Sequence, residues 1–479
     1  MTQLPTYVLL SLLSLLVSCQ TAETELPTVD SRPNIIYILA DDLGYGDLSC
    51  YGQTNFNTPN IDRLAARGML LRQHYSGAPV CAPARSVLMT GQHIGHTPVR
   101  GNAEVLPEGQ EPMPASAKLL PEYLQAAGYQ TAGFGKWGLG YPGSEGAPEN
   151  QGFDYFFGYN CQREAHLYYP THLWRNDEMV ALLDNHGGYQ RNTYAPDLIQ
   201  EEVLDYIRKQ QQGPFFLYYA HTVPHAEMQA PEHYMEKYRG QYLPEKTFEG
   251  WNPPEYRGKF GYSSQPEGHA AFAAMINLLD DHVGQLLDVL DELDLTDNTL
   301  VVFTSDNGPH LEGGADPDYF DSNGPLRGYK RDLYEGGIRV PFLAAWPGHI
   351  PAASESSVVS GFQDMLPTFL TSAGVKPPTD IDGINLLPAL EGDSSFQGHD
   401  VLYWEFSERG GRVAVRQGDW KAIRYQLQTG EGEWELYNLA EDIGETTDLA
   451  ATELERLNEL VNLIPELHLD SPRFPLEGL

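Results

Sequence analysis

Basic residues are scarce in this chain of 479 residues, which contains 30 Lys and Arg against 66 Asp and Glu. The formal net charge of -36 excludes nucleic acids and anionic membrane surfaces as expected partners, because both would be repelled. An anionic small substrate is compatible with this charge in two settings. Either a basic pocket lies inside an acidic exterior, or the habitat is salty and a Debye length of roughly 3–8 Å screens the surface.

Cysteines are also few, and the four are Cys19, Cys50, Cys81 and Cys161. Their wide, unpatterned spacing does not match a zinc site or a dense disulfide framework. If Cys19 and Cys81 are modified, as argued below, Cys50 and Cys161 remain. They form either a disulfide in an oxidising compartment or two unpaired buried thiols.

No apolar run is long enough to span a bilayer. The run Tyr7–Val17 has the length of a signal-peptide core, although no Lys or Arg precedes it. It leads into Leu16-Val-Ser-Cys19, which resembles the lipobox of bacterial lipoproteins, where the cysteine becomes the acylated first residue. We therefore predict a lipoprotein-type signal peptide over 1–19, a tether over 20–31, and an exported protein of the periplasm or outer membrane. The only predicted membrane contact is this lipid anchor, and the alternative is an ordinary signal peptide that contains a cysteine.

The rest of the chain has the pattern of an α/β protein. Buried strands are predicted where β-branched and aromatic residues cluster, at Asn34–Ala40, Gln130–Gly135, Pro214–Ala220 and Thr299–Ser305. One apolar stripe predicts a helix over Phe272–Leu293. A large, mixed but mostly parallel sheet flanked by helices is therefore expected over residues 32–375.

The sequence pattern changes around residues 370–385, and shorter β-like runs follow. They are Val401–Phe406, Arg412–Arg416 and Trp420–Tyr425, and a helix is predicted near Ala451–Leu463. These runs predict a C-terminal α+β subdomain over 376–479 with a small antiparallel sheet and a helix.

Charged or metal-binding side chains follow each of the four buried strands. They are Asp41-Asp42, Lys136, His221 with His225, and Asp306-Asn307. Open α/β sheets bind ligands outside the carboxyl ends of their strands, so these side chains are expected to meet there. Three carboxylates and one amide oxygen favour a hard divalent cation, calcium or magnesium, over zinc.

The segment Pro79-Val-Cys81-Ala-Pro-Ala-Arg85-Ser-Val-Leu-Met-Thr-Gly91 resembles the type I sulfatase signature within the alkaline phosphatase superfamily. The resemblance implies an alkaline phosphatase-like fold and a sulfuric ester hydrolase. It further implies that a formylglycine-generating maturation enzyme oxidises Cys81 to formylglycine (3-oxoalanine), whose hydrate supplies the nucleophile.

The resemblance extends over nearly all of the predicted exported chain. Gly128–Trp137 resembles the second family signature, and Gly328-Tyr-Lys330 and Pro224-His225 match two further motifs. By this resemblance the catalytic residues are Cys81, Arg85, Lys136, His225 and Lys330. The same resemblance implies that one calcium ion is held by Asp41, Asp42, Asp306 and Asn307.

One position departs from the family pattern. Members commonly read Gly-Lys-Trp-His-Leu-Gly, and that histidine helps to deprotonate the aldehyde hydrate, but this chain has Gly138 there. Either another base occupies this space or the enzyme is impaired, and the candidates for a substitute base are His166, His221 and His310.

The substrate is predicted to be a sulfated sugar or polysaccharide fragment. The segments Gly158–Arg163 and Tyr168–Trp174 are rich in aromatic and amide groups, which suit sugar rings and hydroxyls. The predicted substrate contacts are Arg163, His166, His221 and His310. Two alternatives remain: a phosphate or phosphonate monoester hydrolase on the same scaffold, and a non-catalytic protein that binds sulfated glycans.

Overall fold

The computed structural model describes residues 1–2, 32–185, 192–210, 213–251 and 262–479. The predicted acylation site Cys19 and the tether 20–31 lie outside these residues, as does all but the first two residues of the predicted signal peptide. Residues Arg32–Leu479 form one compact unit. Within the described part of the chain, no helix combines the length and the apolar character needed to cross a membrane.

Eleven of the described strands form one mixed sheet. They are β1 Asn34–Ala40, β2 Met69–Tyr75, β3 Gln130–Lys136, β4 Tyr155–Tyr159, β5 His172–Arg175, β6 Glu178–Ala181, β7 Phe215–Ala220, β8 Thr299–Ser305, β9 Arg339–Val340, β10 Phe342–Ala345 and β11 Ser354–Gly361.

The helices of the described residues pack mainly on the two faces of this sheet. They are α1 Pro59–Arg67, α2 Cys81–Thr90, α3 Leu120–Ala126, α4 Ala195–Lys209, α5 Glu232–Tyr238, α6 Gly268–Glu292, α7 Pro317–Phe320, α8 Glu335–Ile338, α9 Met365–Ser372, α10 Leu387–Leu390, α11 Leu454–Val461 and α12 Ile464–Leu467.

The centre of the sheet consists of four parallel strands in the order β8-β1-β7-β3. The register pairs Ala40 with Ser305 and Leu39 with Ala220, so the carboxyl ends of β1, β8 and β7 lie at one level. β10 is antiparallel to β8, and β5 is antiparallel to β4, which makes the sheet mixed. The predicted mostly parallel sheet flanked by helices is therefore confirmed.

Alternate residues of β1 enter two separate cores. Ile36 and Ile38 pack with the apolar face of α6, whereas Ile35 and Tyr37 pack with α2 and α9 on the opposite face. Burial on both faces explains why β1 is apolar at nearly every position, as expected of a central parallel strand.

The C-terminal region forms a second, antiparallel sheet of four described strands. These are β12 Val401–Phe406, β13 Arg412–Gln417, β14 Trp420–Tyr425 and β15 Trp434–Asn438. The predicted strands match β12 and β14 residue for residue, and the predicted helix is the shorter α11. A small antiparallel C-terminal sheet with a helix is thus confirmed.

A buried ion cluster joins the two sheets. Lys421 of β14 places its Nζ 2.8 Å from Glu335 Oε1 and 2.9 Å from Glu445 Oε1, and all three side chains are fully buried. Glu335 is the first residue of α8, which leads into β9 of the large sheet. The cluster therefore anchors the C-terminal sheet directly behind the segment that carries Lys330.

Cys50, Cys81 and Cys161 are free thiols. Of the two arrangements left open for Cys50 and Cys161, the structure has the unpaired one.

Candidate active site

The side chains that follow the central strands meet at one buried site. Asp41 and Asp42 leave the end of β1, Asp306 and Asn307 leave the end of β8, and Lys136 is the last residue of β3. All five are buried, with exposures of 0%. Parallel strands bring their carboxyl ends to the same edge, which is why residues far apart in sequence converge here.

Each carboxylate of this site contacts a cationic side chain. Asp41 accepts from Lys136 Nζ at 2.7 and 3.0 Å, and Asp42 accepts from Lys330 Nζ at 2.7 Å. Arg85 lies 2.8 Å from Asp306. Burial raises the pKa of the Asp41 carboxyl to about 7 although the Lys136 ammonium opposes the shift.

The oxygens of this cluster fit a hard cation. Asn307 donates its amide to Asp42 at 2.6 Å, and its Oδ1 is buried without a hydrogen-bond partner among the described residues. An orphaned acceptor beside three carboxylates is the arrangement that a cation preferring oxygen would complete. Atoms of Asp41, Asp42, Cys81 and His225 also lie within 4.8 Å of one another.

Cys81 is the first residue of α2 and faces this cluster. Its Sγ lies 3.5 Å from Asp41 Oδ1. Every residue of α2 is buried, including Arg85, which donates through Nη1 to the Lys136 carbonyl. The helix therefore holds Cys81 rigidly at the point where Arg85, Lys136 and the carboxylates meet.

His225 and Lys330 form the opposite wall of the site. His225 Nε2 lies 2.9 Å from Lys330 Nζ and 3.3 Å from Asp42 Oδ2. Burial, with help from the Lys330 charge, lowers the pKa of His225 well below its ordinary value. The ring is therefore neutral, with Nδ1–H directed at the Ala226 carbonyl and Nε2 accepting from Lys330.

Two of the three candidate bases lie beside His225. The His166 ring stacks on His225 at 4.1 Å between centroids, and the His310 ring also stacks on His225, at 5.4 Å. Both His310 nitrogens contact backbone, Nε2 at 3.2 Å from the Pro224 carbonyl and Nδ1 accepting from Glu312 N–H. His166 makes no ring hydrogen bond to any described residue, which leaves its nitrogens available.

His221 is not brought to the site. Its Nε2 lies 3.0 Å from Nδ1 of His282 on α6, and its Nδ1 accepts from the Val223 N–H. Both ring nitrogens of His221 therefore form hydrogen bonds within the protein core. Arg163 is directed at the rim, where it pairs with Glu104 at 2.7 Å and donates to the Pro107 carbonyl at 3.0 Å.

The structure gives a physical reason for the glycine at position 138. Gly138 has a φ of 79°, and a Cβ built on it would lie 2.9 Å from Cγ and Nε2 of Gln162. The Gln162 side chain therefore occupies the space into which a side chain at 138 would extend. Its Nε2 is buried and has no partner among the described residues.

Three residues near His225 were not singled out from the sequence. Glu312 pairs with Arg331 at 2.6 Å and accepts from Tyr262 OH at 3.2 Å, and the Tyr262 ring lies 5.8 Å from the His166 ring. Arg331 directly follows Lys330, and Glu312 lies two residues after His310. This proximity along the chain is the sequence signal that would have drawn attention to them.

A second group of possible metal ligands contains His93, His96 and Asp382. His96 Nδ1 lies 2.9 Å from Asp382, but His93 Nδ1 accepts from the Gly95 N–H at 3.1 Å. The proton of the neutral His93 ring is therefore on Nε2, which has no lone pair for a metal. This group ties the end of α2 to the C-terminal region by hydrogen bonds.

Comparisons with known proteins agree with this geometry. The family model described as Sulfatase matches residues 33–375, and the model described as N-sulphoglucosamine sulphohydrolase, C-terminal, matches residues 328–467. The N-acetylgalactosamine-6-sulfatase of Rattus norvegicus is 35% identical over 474 residues, which cover 93% of this chain and 81% of that protein. Arylsulfatase A of Homo sapiens is 32% identical over 485 residues, covering 91% and 87%.

A solved structure is similar over the same length. Ps i-CgsB in complex with k-i-k-neocarrahexaose superimposes with a TM-score of 0.76 at 29% sequence identity, covering 91% of this chain and 92% of that chain. Family model, relatives and fold thus agree on one family. The chain belongs to the sulfatase family of the alkaline phosphatase superfamily and is an enzyme that hydrolyses sulfate esters.

Proposed function

We propose that this enzyme removes sulfate from a sulfated sugar or polysaccharide fragment, using a formylglycine made from Cys81 and one calcium ion. The observation that carries the proposal is the position of Cys81. It begins a fully buried helix and faces Asp41 at 3.5 Å, inside a ring of cationic side chains.

The cations of the site are suited to a sulfate group. Arg85, Lys136 and Lys330 surround the place that Cys81 faces, and all three are buried. Buried, preorganised positive charge stabilises the negative charge that spreads over the sulfuryl oxygens during transfer. When Cys81 has been converted, the aldehyde hydrate supplies a hydroxyl nucleophile that a cysteine thiol does not.

The metal would be held by oxygens of Asp41, Asp42, Asp306 and Asn307. Calcium accepts six or more oxygen ligands, so protein ligands leave room for substrate oxygens. The ion would add positive charge to the site and reduce the repulsion among three buried carboxylates.

In this proposal His225 and Lys330 together supply the proton that the departing alcohol needs. In the structure Lys330 Nζ–H is directed at the unprotonated Nε2 of His225 at 2.9 Å. The neutral His225 has no proton on Nε2 to give, because its ring proton is on Nδ1 at the Ala226 carbonyl. The Lys330 ammonium would therefore carry the proton for the leaving oxygen, and His225 Nε2 orients it by accepting one of its hydrogens. The pair therefore works as a general acid on the leaving-group side.

The leaving-group side also supports a sugar substrate. Tyr262, Glu312 and Arg331 form a polar wall next to His166 and His225, with hydrogen-bonding groups of the kind that bind sugar hydroxyls. N-acetylgalactosamine-6-sulfatase and the complex of Ps i-CgsB with k-i-k-neocarrahexaose support the same substrate class. Predicted export with acylation at Cys19 would place the enzyme at the periplasm or outer membrane, where such glycan fragments arrive.

Parallel assays of sulfate, phosphate and phosphonate esters of one alcohol test this proposal. The protein is produced with a formylglycine-generating enzyme, and peptide mass spectrometry measures the conversion of Cys81. We expect sulfate ester hydrolysis proportional to the converted fraction and none in the Cys81→Ala protein. Metal analysis of the same samples reports the ion, and equal folding of the variant is checked by circular dichroism.

Three results would contradict the proposal. A preference for the phosphate or phosphonate ester would show that the chain is instead a phosphate or phosphonate monoester hydrolase. Retention of a tenth of the turnover by Cys81→Ala would exclude the formylglycine nucleophile, and tightly bound zinc with full activity would exclude calcium.

A further inference from the structure

The segment that carries Lys330 has a backbone that is unfavourable on its own. It passes through left-handed conformations at Gly328, with a φ of 89°, and at Arg331, with a φ of 81°. Glycine adopts this conformation freely, but the Cβ of Arg331 makes it costly. The conformation at Arg331 must therefore be held by contacts from outside the segment.

The backbone N–H and the backbone carbonyl of Arg331 both make such contacts. The Arg331 N–H donates to the Pro79 carbonyl at 2.9 Å, two residues before Cys81. The Arg331 carbonyl accepts from Arg412 Nη1 at 2.6 Å. Arg412 belongs to β13 of the C-terminal sheet, and its side chain is only 8% exposed. A charge-assisted hydrogen bond in such a buried place is among the stronger ones available.

The C-terminal sheet holds the following residues as well. Leu333 N–H donates to Tyr425 OH at 3.0 Å, and Tyr334 OH donates to Glu435 at 2.7 Å. Arg412 packs within this group, with its guanidinium 4.7 Å from the centre of the Tyr425 ring. The sheet therefore fixes the segment immediately after Lys330.

We infer that Arg412 is a positioning residue for Lys330. By holding the strained Arg331 peptide, it keeps Lys330 Nζ between Asp42 and His225, at 2.7 and 2.9 Å. The inference rests on the proposed function, because Lys330 needs this position only if it acts on the sulfate group and its leaving alcohol. Misplacement of a catalytic group by about 1 Å costs on the order of 10²-fold in rate.

The test compares Arg412→Met with Arg424→Met. Arg424 is an arginine of the same sheet whose Nε donates to the Gly432 carbonyl at 2.8 Å, away from the segment. Hydrogen exchange followed by mass spectrometry should show the peptide over 327–338 exchanging at least about tenfold faster in Arg412→Met, because the bonds around Leu333 open more often. The control should exchange as the wild type does.

Kinetics in two backgrounds separates positioning from general stability. We expect Arg412→Met to lower kcat on the order of 10–10²-fold. With Arg331→Gly, which adopts the left-handed conformation without strain, the same change should cost less than about threefold. Arg412→Lys keeps a charged donor and should change both readouts less, in the same direction.

Unchanged exchange of the 327–338 peptide would overturn the inference, as would an equal loss of kcat in both backgrounds. If Arg412→Met does not fold, the same two readouts on Arg412→Lys decide. Exchange needs no turnover, so a wild-type protein inactive on sulfate esters would overturn the proposed function and leave the exchange result standing.

Discussion

Replacing Lys421 by Met should destabilise the protein strongly and in a pH-dependent way. The change keeps the length of the side chain but removes the ammonium that lies 2.8 and 2.9 Å from Glu335 and Glu445. Removing one partner from a fully buried ion pair typically costs about 3–5 kcal/mol, because a buried charge loses its counterion. Glu335 keeps Arg339 at 3.3 Å, so the lost ammonium matters most for Glu445. We expect a loss of this size in the free energy of unfolding at about pH 8.

The pH dependence follows from the two carboxyls. In the wild type, burial raises the pKa of Glu445 to about 7 although Lys421 opposes the shift. At Glu335 burial is outweighed by the combined charges of Lys421, Arg339 and Arg416, which lower the pKa to about 2. Removing Lys421 raises the pKa of both carboxyls, and that of Glu445 moves further above its ordinary value of 4.5. A carboxyl whose pKa is higher in the folded than in the unfolded protein destabilises the fold as the pH rises from the unfolded pKa to the folded pKa. The cost of the substitution should therefore be smaller at about pH 5.5, where the Glu445 carboxyl can be protonated.

Urea unfolding followed by circular dichroism at both pH values measures this effect. The matched control is Lys209→Met, which removes an exposed lysine 3.6 Å from Asp205 and should change stability by less than about 0.5 kcal/mol. A cost for Lys421→Met below about 1 kcal/mol, or one that is equal at the two pH values, would refute the reasoning.

Other substitutions address the site itself. Asn307→Ala should abolish tight calcium binding in equilibrium dialysis while leaving the circular dichroism spectrum unchanged; undiminished binding would remove Asn307 from the ligands. His166→Ala should lower kcat on the order of 10²-fold or more, whereas His221→Ala should stay within about threefold of wild type because its ring bonds to the core. The reverse ranking in steady-state assays would contradict the geometry around His225. Gly138→Ala should lower the free energy of unfolding by about 1 kcal/mol or more, since its φ is positive and Gln162 fills the space; an unchanged melting midpoint would argue against this packing.

The sequence predicted the frame of the molecule well, because that frame depends on local patterns. The strands Thr299–Ser305 and Asn34–Ala40 each contain a continuous apolar run bounded by polar residues, and both end where predicted. The parallel topology then places Asp41 and Asp306 at one edge without further information. Helix α6 begins at Gly268, four residues before the predicted start, because tertiary contacts bury small residues that carry little periodic signal.

The directions in which side chains point could not be predicted from local sequence patterns. His221 and His225 both follow β7, yet one bonds to His282 in the core and the other faces Lys330. The orientation of each ring is set by its partner, His282 of α6 or Lys330, and both partners are distant in sequence. For the same reason the contact between Tyr262 and Glu312 had no signal in either segment alone.

The burial of α2 has a consequence for how the active protein is made. Cys81 is 1% exposed, and the helix that it begins is enclosed along its whole length. Under the proposed function, the enzyme that oxidises this thiol would have to reach the segment before it is enclosed. Oxidation would then precede folding, and the two processes would compete in time on each new chain. A chain that folded first would keep its thiol, so the active fraction of a preparation would be set by synthesis rate and maturation capacity rather than by later treatment.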